Sequence, residues 1–140
     1  MATSRTWWTD LGFGVAPERR TAPESNGLTV YRAWGGSSTE WGSGFFSLEK
    51  PTSVLDAELR FNIVDWGNLI RFVSTFRILS GVTCYVGPVA HAEGGLRKTG
   101  TQVWIEKQNL VNVRLIRTAE PLAQDAHVLV PISARRTPWN

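Results

Sequence analysis

The sequence predicts an α+β domain, mostly antiparallel β with one main helix. Short segments rich in β-branched and aromatic residues recur along the chain, separated by glycine, proline and polar turns. Only residues 50–64 combine a helix start signal with apolar residues at helical spacing. An apolar fraction of 42% over 140 residues is enough for one hydrophobic core. We therefore expect a single domain that spans residues 1–140.

Composition divides that domain into three parts. Residues 1–27 mix aromatic and polar residues, contain Pro17 and Pro23, and have no sustained period, so we expect an extended N-terminal arm. The strands and the helix fall within 28–133, the expected core, and 134–140 form a basic, proline-containing tail. The predicted strands are 28–34, 45–47, 69–79, 82–90, 102–105, 111–116 and 127–133.

The helix and the first strand have the clearest local signals. Ser53 stands three residues ahead of Asp56, which predicts a capped helix start. In strand 28–34, alternation puts Leu28, Val30, Arg32 and Trp34 on one face. If that face is buried, Arg32 needs a carboxylate or a bound anion as its partner, because its guanidinium keeps its charge. The alternative is an edge position with Arg32 facing water.

Several classes of protein do not fit the composition. No run of 18 apolar residues is present, and the N-terminus lacks the apolar segment of a signal peptide, so we expect neither a membrane span nor a leader. The net charge of +3 is scattered, which argues against nucleic acid. Cys84 is the sole cysteine, and no His or Cys spacing matches a metal site, so we expect no disulfide within the chain and no metal.

The candidate functional stretch is Gly94–Glu106, a glycine-rich, basic loop followed by a short apolar strand. Gln102 stands at the junction, where a loop can adapt to a ligand while a strand holds the side chain still. Arg97 and Lys98 lie inside the loop and His91 just before it. The simpler interpretation is a hairpin loop with solvated charges and an ordinary polar residue at the start of a strand.

The order of these motifs resembles a known fold. YRAWGG, GSGFFS, the helix, GVTCYVGPVA, the glycine loop and TQVWIE follow one another as in the ADP-ribosyltransferase-like fold, and the set is similar to small effector domains of bacterial polymorphic toxins. The resemblance covers about residues 28–106 and implies a split β-sheet core. It also implies a site made of Arg32, Ser47 and Gln102, with Tyr31 and Phe45 or Phe46 beside them.

One departure from the family pattern narrows the expected activity. Transferases of this fold carry a glutamate where this chain has Gln102, and glutamine cannot supply the negative charge that favours an oxocarbenium-like transition state. A glutamine after a glycine-rich loop instead resembles the tuberculosis necrotizing toxin class of NAD glycohydrolases, which hydrolyse NAD to nicotinamide and ADP-ribose. Glu106 is the second candidate, and a mono-ADP-ribosyltransferase acting on a macromolecule would need it. The third alternative is a non-catalytic relative that binds a nucleotide or a protein.

The resemblance implies a role for each residue. Arg32 would pair with the NAD pyrophosphate, with Arg97 as a further phosphate contact and His91 as a polar contact to the cofactor. Tyr31, Phe45 or Phe46 would stack on the nicotinamide, Ser47 would fix the pocket, and Gln102 would orient the ribose or the attacking water. NAD is then the substrate and an immunity protein the expected partner. The cytoplasm, of the producing cell or of a target cell, is the expected site of action.

Overall fold

The structure, a computed structural model, describes residues 7–8, 11–36, 38–60, 70–90 and 100–123. Its strands are β1 (Glu18–Thr21), β2 (Leu28–Trp34), β3 (Phe45–Ser47), β4 (Phe72–Ile78), β5 (Thr83–Pro88), β6 (Thr101–Trp104) and β7 (Val113–Pro121). They form one seven-stranded sheet in the order β1-β5-β6-β3-β2-β4-β7. All six pairings between these strands are antiparallel, which confirms the mostly antiparallel β prediction.

Two short helices accompany the sheet in the described part of the chain. Helix α1 (Val54–Arg60) begins as predicted, because the Ser53 Oγ accepts a hydrogen bond of 3.0 Å from the Asp56 N–H. The Asp56 carboxylate accepts in turn from the Thr52 N–H at 2.9 Å. A 3-10 helix, Lys107–Asn112, precedes β7. No described helix is long and apolar enough to cross a membrane.

The two faces of the sheet carry separate apolar clusters. Alternation along β2 puts Val30 and Arg32 on one face, which we call the core face, and Tyr31 and Ala33 on the other, the second face. The main cluster on the core face includes Val30, Phe46, Phe76, Ile78, Cys84 and Val103. A smaller cluster of Ile70, Val73 and Leu122 packs with Tyr31 and Ala33 on the second face. The predicted shared face of β2 is thus confirmed.

The expected N-terminal arm contributes a strand that the sequence analysis did not predict. β1 pairs with β5 along its whole length, from Glu18 opposite Val86 to Thr21 opposite Thr83. All four β1 residues are exposed, because β1 is an edge strand, so it has no alternating apolar signal. Phe13, also in the expected arm, is buried and bridges Val89. Phe13 and residues 18–21 of the expected arm therefore belong to the sheet.

The strand predicted at 111–116 begins later and runs further. Val111 lies in the 3-10 helix with 73% of its surface exposed, so its apparent alternation with Val113 does not reflect a buried face. β7 shifts register twice against β4, between Val73 and Thr75 and between Thr75 and Phe76. The strand predicted at 127–133, the tail, and the end of the helix near residues 65–68 lie outside the described residues.

Candidate functional site

Three of the predicted site residues form one row across the second face of the sheet. Tyr31 on β2 is the register partner of Ser47 on β3, and Ser47 is the partner of Gln102 on β6. Gly87 on β5 continues the row beyond Gln102. Directly opposed residues of antiparallel strands have side chains roughly 5 Å apart on the same face. Strand pairing thus brings Tyr31, Ser47 and Gln102 together, although they are far apart in sequence.

The carboxamide of Gln102 is held by the N-terminal segment. Gln102 is 7% exposed, and its Nε2 donates a hydrogen bond of 2.6 Å to the carbonyl of Leu11. Gly12 lies next to the other carboxamide atom, and an added Cβ there would be in ordinary contact with the Gln102 Oε1 at 3.6 Å. Leu11, which lies 91 positions earlier in the sequence, therefore contacts Gln102 near the start of β6.

The Ser47 hydroxyl lies between two backbone carbonyls, one in the middle of β2 and one just after β3. Its Oγ lies 2.8 Å from the Glu49 carbonyl and 3.3 Å from the Tyr31 carbonyl. The Glu49 carboxylate then accepts a hydrogen bond of 2.8 Å from the Thr101 N–H, the first residue of β6. Because the hydroxyl has a single proton, it donates to one carbonyl at a time and keeps its oxygen free to accept. Ser47 and Glu49 together hold the start of β6 beside Gln102.

The two candidate aromatic residues separate onto opposite faces. Phe46 is 4% exposed on the core face and makes an edge contact with Phe76 at a centroid distance of 5.0 Å. Phe46 is thus a core residue, and Phe45 is the one of the two that shares a face with Ser47 and Gln102. Phe45 is half-buried on the second face and is the register partner of Trp104.

Tyr85, Trp104 and Trp7 extend the aromatic surface around Phe45. The centroids of Tyr85 and Trp104 are 5.5 Å apart, and those of Trp7 and Tyr85 are 5.1 Å apart in an edge arrangement. Sequence reasoning missed this group, because only the pairing of β5 with β6 places Tyr85 and Trp104 side by side.

Arg32 lies on the core face, separated from Gln102 by the sheet. Its guanidinium donates to the carbonyls of Thr39 at 2.9 Å and Phe45 at 3.2 Å, and to the Ser38 Oγ at 2.9 Å. Burial lowers the pKa of Arg32, and among the described residues no carboxylate pairs with it. The expected partner, a carboxylate or an anion, is replaced here by neutral acceptors of the loop that follows β2.

The remaining candidates do not join the row. β6 ends at Trp104, and Glu106 caps the 3-10 helix with its backbone, so it does not continue the strand of Gln102. His91, Arg97 and Lys98 lie outside the described residues. Among the residues that the structure describes, no three His, Cys, Asp or Glu side chains group as they would around a metal ion.

A polar network around Glu40 on the core face had no signal in the sequence. The Glu40 Oε2 accepts hydrogen bonds of 2.6 Å from both Ser74 and Thr118, and the buried Ser74 Oγ accepts from the Trp34 Nε1 at 2.9 Å. Burial raises the pKa of Glu40, but bonds from Ser74, Thr118 and the backbone of Ala119 outweigh it and lower the pKa below its ordinary value. Glu40 is thus held as a carboxylate.

A cavity of about 330 Å³ opens on the second face next to β7. Lys50, Thr52, Val73 and Glu120 line it together with Pro51, Pro121 and Leu122. The Lys50 Nζ lies 2.9 Å from the Glu120 Oε1, and hydrogen bonds from Lys50 and Arg117 lower the pKa of Glu120. The charged groups of this cavity therefore neutralise each other.

Solved structures share this fold at low sequence identity. The chain matches the structure of Tne2 in complex with Tni2 with a TM-score of 0.61 and 16% identity, over 77% of this chain and 93% of that chain. It matches the structure of Rhs1-CT in complex with its cognate immunity protein RhsI1 with a TM-score of 0.51 and 16% identity, over 76% and 82%. No protein-family model and no curated protein sequence matches the chain. The likeness establishes the shared fold.

Proposed function

We propose that this chain is a toxin-like enzyme of the ADP-ribosyltransferase-like fold that hydrolyses NAD to nicotinamide and ADP-ribose in the cytoplasm. The observation that carries the proposal is the row of Tyr31, Ser47 and Gln102 on one sheet face, at the junction between the glycine-rich loop and β6. The fold shared with Rhs1-CT, which was solved with its cognate immunity protein, supports the toxin class and an immunity protein as partner.

The reaction breaks the bond between the nicotinamide nitrogen and C1′ of its ribose. The nicotinamide leaves with the electron pair of that bond, the oxygen of a water forms the new bond to C1′, and a proton of the water is released. Gln102 carries no charge, so its contribution is to orient the water or a ribose hydroxyl by hydrogen bonding. The half-buried Tyr31 and Phe45 supply aromatic surface for the nicotinamide, and Ser47 fixes the pocket between them.

Transfer of ADP-ribose to a macromolecule has less support. That activity would need a carboxylate in place of the missing glutamate, and Glu106 stands beyond the end of β6. A binding-only relative has one observation in its favour, because the Gln102 Nε2 already has a partner in the Leu11 carbonyl at 2.6 Å. The two functions differ in whether NAD is consumed.

Consumption of NAD by the purified protein tests the proposal, with nicotinamide and ADP-ribose resolved chromatographically. The wild type should release both products in equal amounts, and Gln102→Ala should lose the activity while it keeps a cooperative thermal transition. Gln108→Ala, a change at an exposed glutamine of the 3-10 helix, is the matched control and should keep the wild-type rate.

Two results would contradict this. An unaltered rate in Gln102→Ala would remove Gln102 from the mechanism. No consumption by the wild type, with or without cell lysate as acceptor, would refute the enzyme and favour the binding-only relative.

A further inference from the structure

A short N-terminal segment pairs with the residues at the end of β5 and beyond it, and contacts the proposed catalytic residue. We call Leu11–Phe13 the strap. The Leu11 carbonyl accepts the Gln102 Nε2–H at 2.6 Å, and the Gly12 carbonyl accepts the Ala90 N–H at 2.8 Å. The strap thus contacts Ala90, two residues after the end of β5, and Gln102 of β6.

The strap is anchored to the sheet through Phe13. Phe13 is 2% exposed, and it fills the space that a side chain at Gly87 would occupy, since an added Cβ there would lie 3.1 Å from the Phe13 Cδ1. The strap is therefore held by the burial of Phe13 and by backbone hydrogen bonds of Gly12 with Ala90 and of Gly14 with Pro88.

The chemistry of the contact determines which way the Gln102 carboxamide points. A carbonyl oxygen can only accept, so the Gln102 atom 2.6 Å from Leu11 must be the NH2 group. The Oε1 then takes the other position of the carboxamide, next to Gly12, whose missing side chain leaves room beside that oxygen. Without the strap, the carboxamide would be free to turn over and present its NH2 instead.

We propose that the strap is a positioning element of the active centre, in which the Leu11 carbonyl fixes the Gln102 carboxamide so that Oε1 is the atom offered to the substrate. This inference rests on the proposed hydrolysis of NAD. An uncharged oxygen in that position accepts a hydrogen bond from the attacking water or from a ribose hydroxyl. Gln102 then acts as an acceptor throughout the reaction, and its donor group is reserved for the protein.

Two glycine variants test the strap. Gly12→Ala places a side chain on a residue with a left-handed φ of +86°, and the resulting backbone strain displaces the strap where it meets the carboxamide. Gly14→Ala is the matched control, because Gly14 is exposed just beyond the strap and an added Cβ there meets only ordinary contacts of 3.5–3.7 Å. We expect Gly12→Ala to lower kcat for NAD cleavage about 10²-fold with KM nearly unchanged, since misplacement of a catalytic group acts on the chemical step. Gly14→Ala should keep the wild-type kcat.

NMR of the protein labelled with 15N-glutamine adds a readout that does not depend on activity. The Nε2 signals of Gln102 are assigned as those that disappear in Gln102→Ala. In the wild type and in Gly14→Ala, one Nε2 proton of Gln102 should exchange with solvent more slowly than the Nε2 protons of the exposed Gln108. In Gly12→Ala this slow exchange should be lost. Exchange in the wild type as fast as at Gln108, or equal kcat in the two glycine variants, would overturn the strap proposal alone. No NAD cleavage by the wild type would refute the proposed function and with it any catalytic role of the strap, whatever the exchange rates are.

Discussion

The guanidinium of Arg32 packs directly against the backbone of Gly42. A Cβ added at Gly42 would lie 2.8 Å from the Arg32 Nε and closer still to the guanidinium carbon. Gly42 also has a φ of +59°, which side chains rarely adopt. The loop after β2 therefore needs a glycine at this position for two reasons, the backbone conformation and the room taken by Arg32.

Comparison of Gly42→Ala with Gly81→Ala should distinguish the loss of stability caused by backbone strain from the loss caused by displacing Arg32. Gly81 has a φ of +84° and nothing within 4 Å of an added Cβ, so its substitution costs only the backbone strain, about 1–2 kcal/mol. Gly42→Ala should cost that strain plus about 1–3 kcal/mol, because Arg32 must leave its carbonyl partners. Urea unfolding of the two variants measures the difference. Equal losses of stability would show that Arg32 moves aside freely.

Removal of the Arg32 side chain tests whether it supports the loop or a ligand. Arg32→Ala should destabilise the protein by about 1–3 kcal/mol, since the part-buried Phe45 carbonyl and Ser38 hydroxyl lose their donor, and leave KM for NAD nearly unchanged. Arg77→Ala, at an exposed arginine of β4, is the control and should have little effect on either quantity. A raised KM with unchanged stability would instead support the pairing with pyrophosphate that the sequence resemblance implies.

The sequence predicted the strands whose apolar residues face a core, and missed the one without such a face. β2, β4 and β5 alternate or contain apolar runs, and their positions agree with prediction. β1 consists of ERRT, exposed along its length, and only its pairing with β5 defines it. The local pattern of apolar residues indicates which side chains are buried. An edge strand with no buried side chain therefore cannot be recognised from that pattern.

The site was predictable residue by residue but not as an arrangement. Alternation alone shows that Tyr31 and Arg32 face opposite ways. Which of them shares a face with Gln102 depends on the register of β2 with β3 and of β3 with β6, which no local pattern encodes. The hydrogen bond from Gln102 to Leu11 goes to a backbone carbonyl, so it depends on the path of the chain rather than on the residue type there.

The Glu40 network predicts a specific dependence of stability on pH. The folded-state pKa of Glu40 lies below its ordinary value of 4.5, so the carboxylate stabilises the protein above that value, and the contribution is lost as pH falls through the folded-state pKa. Wild type should therefore be more stable than Glu40→Gln at pH 7, with the difference disappearing in acid. Urea unfolding across that pH range measures it, with the exposed Glu24→Gln as control. A difference that stays constant with pH would show that Glu40 contributes through packing rather than charge.

Replacement of Gln102 by glutamate should make the stability of the protein fall as pH rises, which is the opposite of the effect of Glu40. Gln102→Glu introduces the residue that transferases of the ADP-ribosyltransferase-like fold carry at this position. It also replaces the NH2 donor that meets the Leu11 carbonyl at 2.6 Å by an oxygen acceptor. The new carboxyl must keep a proton or push the strap away, so the folded state binds that proton more tightly than the unfolded chain does. Stability of Gln102→Glu relative to Gln102→Ala should therefore be greatest in acid and fall as pH rises from about 4 to 7. Parallel urea titrations of the two variants measure this trend, and a relative stability that does not change with pH would mean that Leu11 and residue 102 are not in contact.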